Sequence, residues 1–313
     1  MPEENKRLDA KSVIKSALKR SIYPQHIWNL INLQRRKAAP ARAHDDPQLK
    51  LYAEIFPGDF LNYGYFEDPE LQPHKISLND ILQAQGRNAE LIVELIADRH
   101  SPVLDVGCGM GGLVRLMLNQ GLSPIALSPD RNQIRHVKGR YPQLAVIETR
   151  FEDIPLEENI HRYGTIITSE SLQFLNLAVS LPLIEKLLKP GGRWIASDCF
   201  RTGEERHRSS GQVWTDFEQR VFQSGWRFVF RQDHTPNVLP TLRFLHMWGK
   251  DIALPVVRFA FEKLQRKQPA AYYILEEAIK AINSKIEKNL DLIDPETFAA
   301  YTTYMLLAME RIS

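Results

Sequence analysis

Between residues 102 and 197 short apolar runs alternate with stretches whose apolar positions recur every three or four residues. Val103–Val106, Pro124–Leu127, Leu144–Thr149, Gly164–Thr168 and Arg193–Ser197 are predicted as strands. Gly112–Gln120, Arg131–Arg140 and Leu177–Leu188 are predicted as the helices between them. Such alternation calls for a parallel sheet with helices on both faces, a doubly wound α/β fold. Upstream, Ser77 with Asp80 three residues on marks the start of a helix that runs to about Ala97. After Cys199 the rhythm breaks. Residues 200–212 are polar, Trp214–Ser224 reads as a helix and Trp226–Gln232 as a strand. A mostly helical block over 241–290 precedes a last strand, Tyr301–Arg311, and such an insertion between two late strands is expected to form a lid.

The pattern divides the chain into an extension (1–48), an α/β core (49–200), and a lid with the last strands (201–313). In the extension, Pro24 separates two amphipathic stretches within residues 11–37. Val13, Ile14, Ala17 and Leu18 share one face of the first, and Ile27, Trp28, Leu30, Ile31 and Leu33 precede Arg35–Lys37 in the second. This pattern fits peripheral contact with a bilayer interface, and it fits equally a cover for an apolar patch of the same protein.

Charge sharpens that contrast. Residues 1–44 hold ten Lys or Arg against three acidic residues, a balance of +7, so with a net charge of +2 the remainder sums to −5. The small net charge gives no ground to expect a nucleic-acid partner. With 43% hydrophobic residues the 313-residue chain can bury one sizeable core. Cys108 and Cys199 are the only cysteines, which excludes a disulfide framework or a CxxC metal pattern and fits a reducing, cytoplasmic setting. Both are expected to be small buried residues. No run approaches the ~18 apolar residues of a spanning helix, and no group of His, Cys, Asp and Glu has metal spacing.

The chemistry concentrates at Val103-Leu104-Asp105-Val106-Gly107-Cys108-Gly109-Met110-Gly111-Gly112. A buried strand runs into a Gly-x-Gly-x-Gly turn and then a helix. The glycines let a ligand approach the backbone beyond the carboxyl end of the strand. Dinucleotide enzymes use a similar turn, but with G-x-G-x-x-G spacing. Here the spacing is shorter, an acid (Asp105) lies within the strand, and the motif follows a helix rather than opening the fold.

The stretch 103–112 resembles the first motif of class I S-adenosylmethionine-dependent methyltransferases, and Leu187-Leu188-Lys189-Pro190-Gly191-Gly192 resembles the turn before their fifth strand. Asn62-Tyr63-Gly64-Tyr65-Phe66, Leu82–Gln85, Leu127-Ser128-Pro129, Asn237–Pro240 and Tyr304–Arg311 are similar to the branch that contains cyclopropane-fatty-acid synthases and tocopherol methyltransferases. The resemblance implies a Rossmann-like, seven-stranded, mostly parallel sheet with a helical lid insertion and an N-terminal helical extension. It implies S-adenosyl-L-methionine as cofactor, bound with the help of Asp105 and Gly111, with Gly107, Cys108 and Gly109 at its methionine part and Tyr63 over the carboxylate or sulfonium. Leu127 and Ser128 would meet the ribose, Phe151 and Glu152 the adenine, and Ser169 would line the site. Two positions depart from the family pattern. Ala126 stands where an acid usually accepts from the ribose hydroxyls, leaving Ser128 or Arg131 to compensate. Arg150 stands where an Asp usually follows the third strand, leaving Glu152 or Asp153.

Two residues are candidates for catalysis. Glu170, just after the fourth strand, could be a general base or hold a cationic amine, and it could equally be an acid satisfying a helix start. His234, at a strand end, has the pKa of a base, and a surface-loop role is open too. Cyclopropane synthases carry a Glu-His pair near here, whereas Gln173-Phe174 stands in this chain. His246 and some of Trp214, Phe217, Phe222, Trp226, Phe244 and Trp248 are expected to line an apolar acceptor pocket or the core. The expected activity is methyl transfer to a small, hydrophobic or lipid-like acceptor, at oxygen or carbon. N-methylation of a small amine, cyclopropane formation and a catalytically silent partner protein are the alternatives.

Overall fold

The computed structural model describes residues 59–203 and 211–312. The amphipathic stretch 11–37 and the 48/49 boundary lie outside them. By contact the described residues form two compact units, one of 59–203, 211–245 and 292–312, the other of His246–Asp291.

In the larger unit, α1 (Leu78–Glu94) begins at the expected cap, where Ser77 and Asp80 bond reciprocally. There follow β1 (Val103–Val106), α2 (Gly112–Asn119), β2 (Pro124–Leu127), α3 (Arg131–Arg140), β3 (Ala145–Ile147), β4 (Tyr163–Ser169), α4 (Leu177–Leu187) and β5 (Leu188–Arg201). Beyond these come α5 (Trp214–Gln223), β6 (Trp226–Asp233) and α6 (Thr235–Trp248). The smaller unit holds the last turn of α6, a π-helical turn (Gly249–Ala253), α7 (Leu254–Lys267) and α8 (Pro269–Leu292). The chain then returns through α9 (Pro295–Tyr301) to β7 (Thr302–Arg311).

The strands form one seven-stranded sheet in the order β3-β2-β1-β4-β5-β7-β6. All neighbours are parallel except β7, which runs antiparallel to β5 and β6. All four residues of β1 and of β2 are buried, as strands covered on both faces require. One face packs Leu104, Val106, Trp194, Phe200, Phe217 and Trp226 under α4 and α5, and the other packs Val103, Ile167 and Ile195 under α1 and α2.

Lys189–Gly192 loops out as the expected turn, since pairing steps from Tyr163–Leu188 to Thr165–Arg193 with none of these four residues paired between them, and Gly191 has φ +74°. β5 runs on past the 200/201 division, because Arg201 still pairs with Thr302 of β7. Cys108 is buried, but Cys199 is only half-buried. No helix among the described residues is long and apolar enough to cross a membrane.

Candidate active site

The strand order reverses between β1 and β4, whose outer neighbours are β2 and β5. A doubly wound sheet opens its ligand crevice at such a point. Here a cavity of about 390 Å³ lies beyond the carboxyl ends of β1, β2 and β4, a volume ordinary for a small-molecule site.

The floor is the glycine turn. Gly107, Gly109 and Gly111 have φ of +81°, +53° and +87°, backbone that costs an L side chain about 1–2 kcal/mol. At Gly107 a second constraint is added. A Cβ there would come 2.6 Å from the Cβ of Ser171, whose hydroxyl donates to the Val106 carbonyl. The turn after β1 and the loop after β4 are thus pressed together, and only glycine fits between them. Gly111 does not line the cavity but caps α2.

Asp105, the third residue of the buried β1, lines the cavity. Its Oδ2 has no hydrogen-bond partner, and burial pushes the carboxyl up to about 7. With Oδ2 unpartnered and the group desolvated, the charged form is expensive. Burial also pushes the neighbouring Cys108 thiol well above its usual range and leaves it unreactive.

The far wall carries Ser169, Glu170 and Ser171. Glu170 has φ +50°. Its backbone N–H donates to Ser197 O at 2.8 Å, and the next-but-one residue, Leu172, donates to Asp198 Oδ2 at 2.8 Å. These bonds on both sides hold the strained residue. Oε1 accepts from the Tyr63 N–H at 2.8 Å and from the Tyr304 hydroxyl at 3.1 Å. Tyr304 is fully buried, and Asn88 and Ser197 both donate to its oxygen at 3.1 Å. Asn88 also donates to the Tyr63 carbonyl at 2.7 Å.

A strap, residues 59–66, closes the near side. Gly112 donates to Asp59 O, Asn62 and Gln85 exchange side chain-to-backbone bonds, and Thr241 bridges both backbone groups of Gly64. Asp59 is buried, with its carboxylate between His136 (3.2 Å) and Arg140 (2.7 Å). The strap presents Phe60, Leu61 and Asn62 to the cavity. Sequence reasoning did not place Asp59, Phe60, Leu61, Gln133 or Phe174 at the site. For the strap the motif Asn62–Phe66 was the available signal.

Asp105, Gly107, Cys108, Gly109, Leu127, Ser128, Phe151, Glu152, Ser169 and Glu170 all line the cavity. The Ser128 hydroxyl is committed to Gln133 at 2.8 Å, so Gln133 stands beside it as a further polar group. Glu152 accepts from the Asn176 N–H and lies 3.8 Å from Arg150. Ala126 is buried among Cys108, Val114, Ile134 and Val137. Arg131 pairs with Glu148 on the surface instead of turning inward. Tyr63 reaches the site through its backbone, while its ring packs edge-on against Phe298 and Tyr304.

His234 lies elsewhere. It is fully buried rather than in a surface loop, does not line the cavity, and packs against the Tyr65 ring at 4.8 Å. Neither ring nitrogen has a hydrogen-bond partner, and burial lowers its pKa to about 4. Of the six aromatics expected in the core or at an acceptor pocket, none lines this cavity. Phe217 and Trp226 join Trp194 and Phe200 in the core, Phe222 and Trp248 are exposed, and Phe60, Phe151 and Phe174 line the cavity in their place. Among the described residues no group of His, Cys, Asp and Glu could hold a metal.

Residues 104–196, the segment from the glycine turn to β5, match the family model for a methyltransferase domain. The chain carries a class I S-adenosylmethionine-dependent methyltransferase domain. An uncharacterized methyltransferase of Mycobacterium tuberculosis is 28% identical over 91 residues, 29% of this chain and 37% of the relative. The chain thus spans little more than a third of the length of that curated relative. A sterol 4-C-methyltransferase of Caenorhabditis elegans is 25% identical over 158 residues, 48% of this chain and 44% of the relative. The fold matches the crystal structure of geranyl diphosphate C-methyltransferase from Streptomyces coelicolor with TM-score 0.62 at 13% identity, covering 86% of this chain and 94% of that one. The residues of the methyltransferase domain fit its cofactor. The unpartnered Asp105 carboxylate suits a cationic ammonium, and the glycine turn leaves its backbone approachable.

Proposed function

We propose that the protein transfers the methyl group of S-adenosylmethionine to an oxygen or carbon of a hydrophobic, lipid-like metabolite. The observation that carries this reading is the Glu170 carboxylate, held at the wall of the cofactor cavity by a left-handed backbone and two hydrogen bonds. The cofactor supplies a methyl group already activated on sulfur, so the protein has chiefly to orient the reactants and exclude water.

Asp105 and the backbone of residues 107–109 would hold the methionine part, with Ser128 and Gln133 beside the ribose and Phe151 against the adenine. Glu170 would receive the proton that the acceptor loses as its new bond to the methyl carbon forms. The strap backs this group, since Tyr63 N–H and Tyr304 O–H both donate to Oε1 and fix its direction. The apolar strap side chains Phe60 and Leu61, with Phe174 and Leu175 opposite, suit an acceptor of low polarity. The name of one relative, a sterol 4-C-methyltransferase, supports an apolar acceptor.

The test is incubation with methyl-labelled S-adenosylmethionine and an organic-solvent lipid extract, comparing wild type with Glu170→Gln. Label in an apolar product that disappears with the variant supports the reading. Label only in water-soluble amines makes the same carboxylate an ammonium-binding group instead. Cofactor binding with no labelled product from any extract overturns the assignment of methyl transfer.

A further inference from the structure

The smaller unit carries an exposed apolar surface whose residues do not line the cavity. Along α6, the π-helical turn and α7, Trp248, Ile252, Val256 and Phe259 are 50%, 44%, 61% and 64% exposed. Their spacings of four, four and three place them on one stripe of a continuous helical run. The inward residues of this run differ in kind, since Leu254 is buried and Val257, Phe261 and Leu264 are partly buried. Two apolar faces on one helix leave the outer one exposed to water, and a row of large apolar side chains in water marks a contact surface.

Charge identifies the contact. Residues 246–268 hold Lys250, Arg258, Lys263, Arg266 and Lys267 against Asp251 and Glu262. The stripe runs at its carboxyl end directly into Lys263, Arg266 and Lys267, with the Lys263 ammonium 5.8 Å from the centre of the Phe259 ring. Tryptophan and phenylalanine beside lysine and arginine are the side chains of a helix lying at a bilayer interface, apolar groups among the acyl chains and cations at the phosphates. A stripe one residue wide is too narrow for a stable dimer, which buries on the order of 800 Å² per partner. No described helix can span a membrane, so the contact is peripheral.

We propose that the helical run 248–267 docks the protein on an anionic lipid bilayer, inserting Trp248, Ile252, Val256 and Phe259 among the lipids. This goes beyond the methyl-transfer reading and does not depend on it. A lipid-like acceptor gives such docking a use, but vesicle binding is measured without turnover.

The test is co-sedimentation of the full chain with vesicles of phosphatidylglycerol and phosphatidylcholine, and with phosphatidylcholine alone. Binding is expected to the anionic vesicles and to weaken with salt, because each cation near the surface contributes roughly fivefold. In V256D/F259D binding is expected to fall at least tenfold, while binding of S-adenosylhomocysteine, to a cavity that these residues do not line, stays unchanged. K263E/K267E leaves the apolar stripe intact and is expected to weaken anionic-vesicle binding selectively. Hydrogen exchange on unmutated protein reads the same contact without a variant, as slower exchange over 248–260 when vesicles are added. Three outcomes overturn the proposal. One is no binding by wild type. Another is undiminished binding in V256D/F259D with exchange slowed only within residues 11–37, which assigns the contact to the N-terminal extension. The third is a concentration-dependent dimer, abolished by V256D/F259D, that binds no vesicles.

Discussion

Asp105 allows a quantitative test of cofactor binding that needs no knowledge of the acceptor. Its carboxyl is buried, its Oδ2 is unpartnered, and burial raises its pKa from 3.8 to about 7. A cationic ammonium placed beside it favours the charged form and lowers that pKa. Below pH 7 binding must therefore expel a proton from Asp105, and affinity falls as the pH drops. With a free-state pKa of about 7, the dissociation constant scales as 1 + 10^(7 − pH), so it rises roughly eightfold between pH 7.5 and 6.0. Titration calorimetry with S-adenosylhomocysteine, in buffers of different ionisation enthalpy, should register roughly 0.9 proton released at pH 6.0.

Asp105→Asn removes the charge and keeps the shape. Its affinity should be flat over the same range, release no proton, and be about 10- to 100-fold weaker at pH 7.5 for want of a charged hydrogen bond. The free protein gives the opposite sign for stability. A raised acid pKa means the folded state binds the extra proton, so Asp105 destabilises progressively from pH 3.8 to about 7 and fully above that. That rise, from 3.8 to about 7, sets an upper bound of about 4 kcal/mol. Asp105→Asn should therefore be more stable than wild type at pH 8 while binding more weakly. A wild-type dissociation constant that does not change between pH 6.0 and 7.5, with no proton exchanged, refutes the pairing of Asp105 with the ammonium.

Two other substitutions probe the scaffold. Gly107→Ala combines φ +81° with a Cβ 2.6 Å from the Ser171 Cβ and should cost about 2–4 kcal/mol in urea unfolding. Adding Ser171→Gly should recover the contact part of that loss, whereas Ser171→Ala should recover none. His234→Phe keeps a ring against Tyr65 and removes a buried imidazole whose pKa falls from 6.5 to about 4. Since the unfolded chain takes up that proton first, wild type should lose up to about 3 kcal/mol as pH drops from 6.5 to 4, and the variant should not.

The sequence made the sheet legible because its central strands are buried on both faces and so read as unbroken apolar runs. Val103–Val106 and Pro124–Leu127 match their predicted bounds for this reason. The glycine turn was legible because no other residue fits its backbone. What escaped reading depends on partners distant in the chain. His234 sits next to Asp233 in a charged stretch, yet β7 and the strap ring of Tyr65 bury it. Residues 59–61 have no periodicity, and only their bonds to Gly112, His136 and Arg140 bring them over the turn. Tyr304 reads as one more apolar position of a buried strand, although its hydroxyl reaches 134 residues back to Glu170. For the aromatics near 214–226 the sequence left core and pocket open, because composition does not tell which face of the sheet a ring will occupy. They cover the side opposite α1 and α2.

Glu170 shows how far the structure goes to keep a carboxylate at this wall. A non-glycine residue at φ +50° costs about 1–2 kcal/mol, and glycine would avoid it. A matched pair of variants isolates that cost. Glu170→Ala and Glu170→Gly lose the same bonds from Tyr63 and Tyr304, so they differ only in the Cβ and in the freedom of the unfolded chain. At an ordinary position alanine is more stable than glycine by roughly 0.5–1 kcal/mol. At 170 the left-handed backbone reverses the order, and Glu170→Gly should exceed Glu170→Ala by about 1 kcal/mol in urea unfolding. Both should lose methyl transfer, since neither can take up a proton. Equal stabilities, or alanine the more stable, would mean that the backbone at 170 relaxes once the side chain is gone. The strain would then be imposed by the hydrogen bonds of the carboxylate itself, and the bonds of Glu170 N to Ser197 and of Leu172 N to Asp198 would not be what fixes the turn.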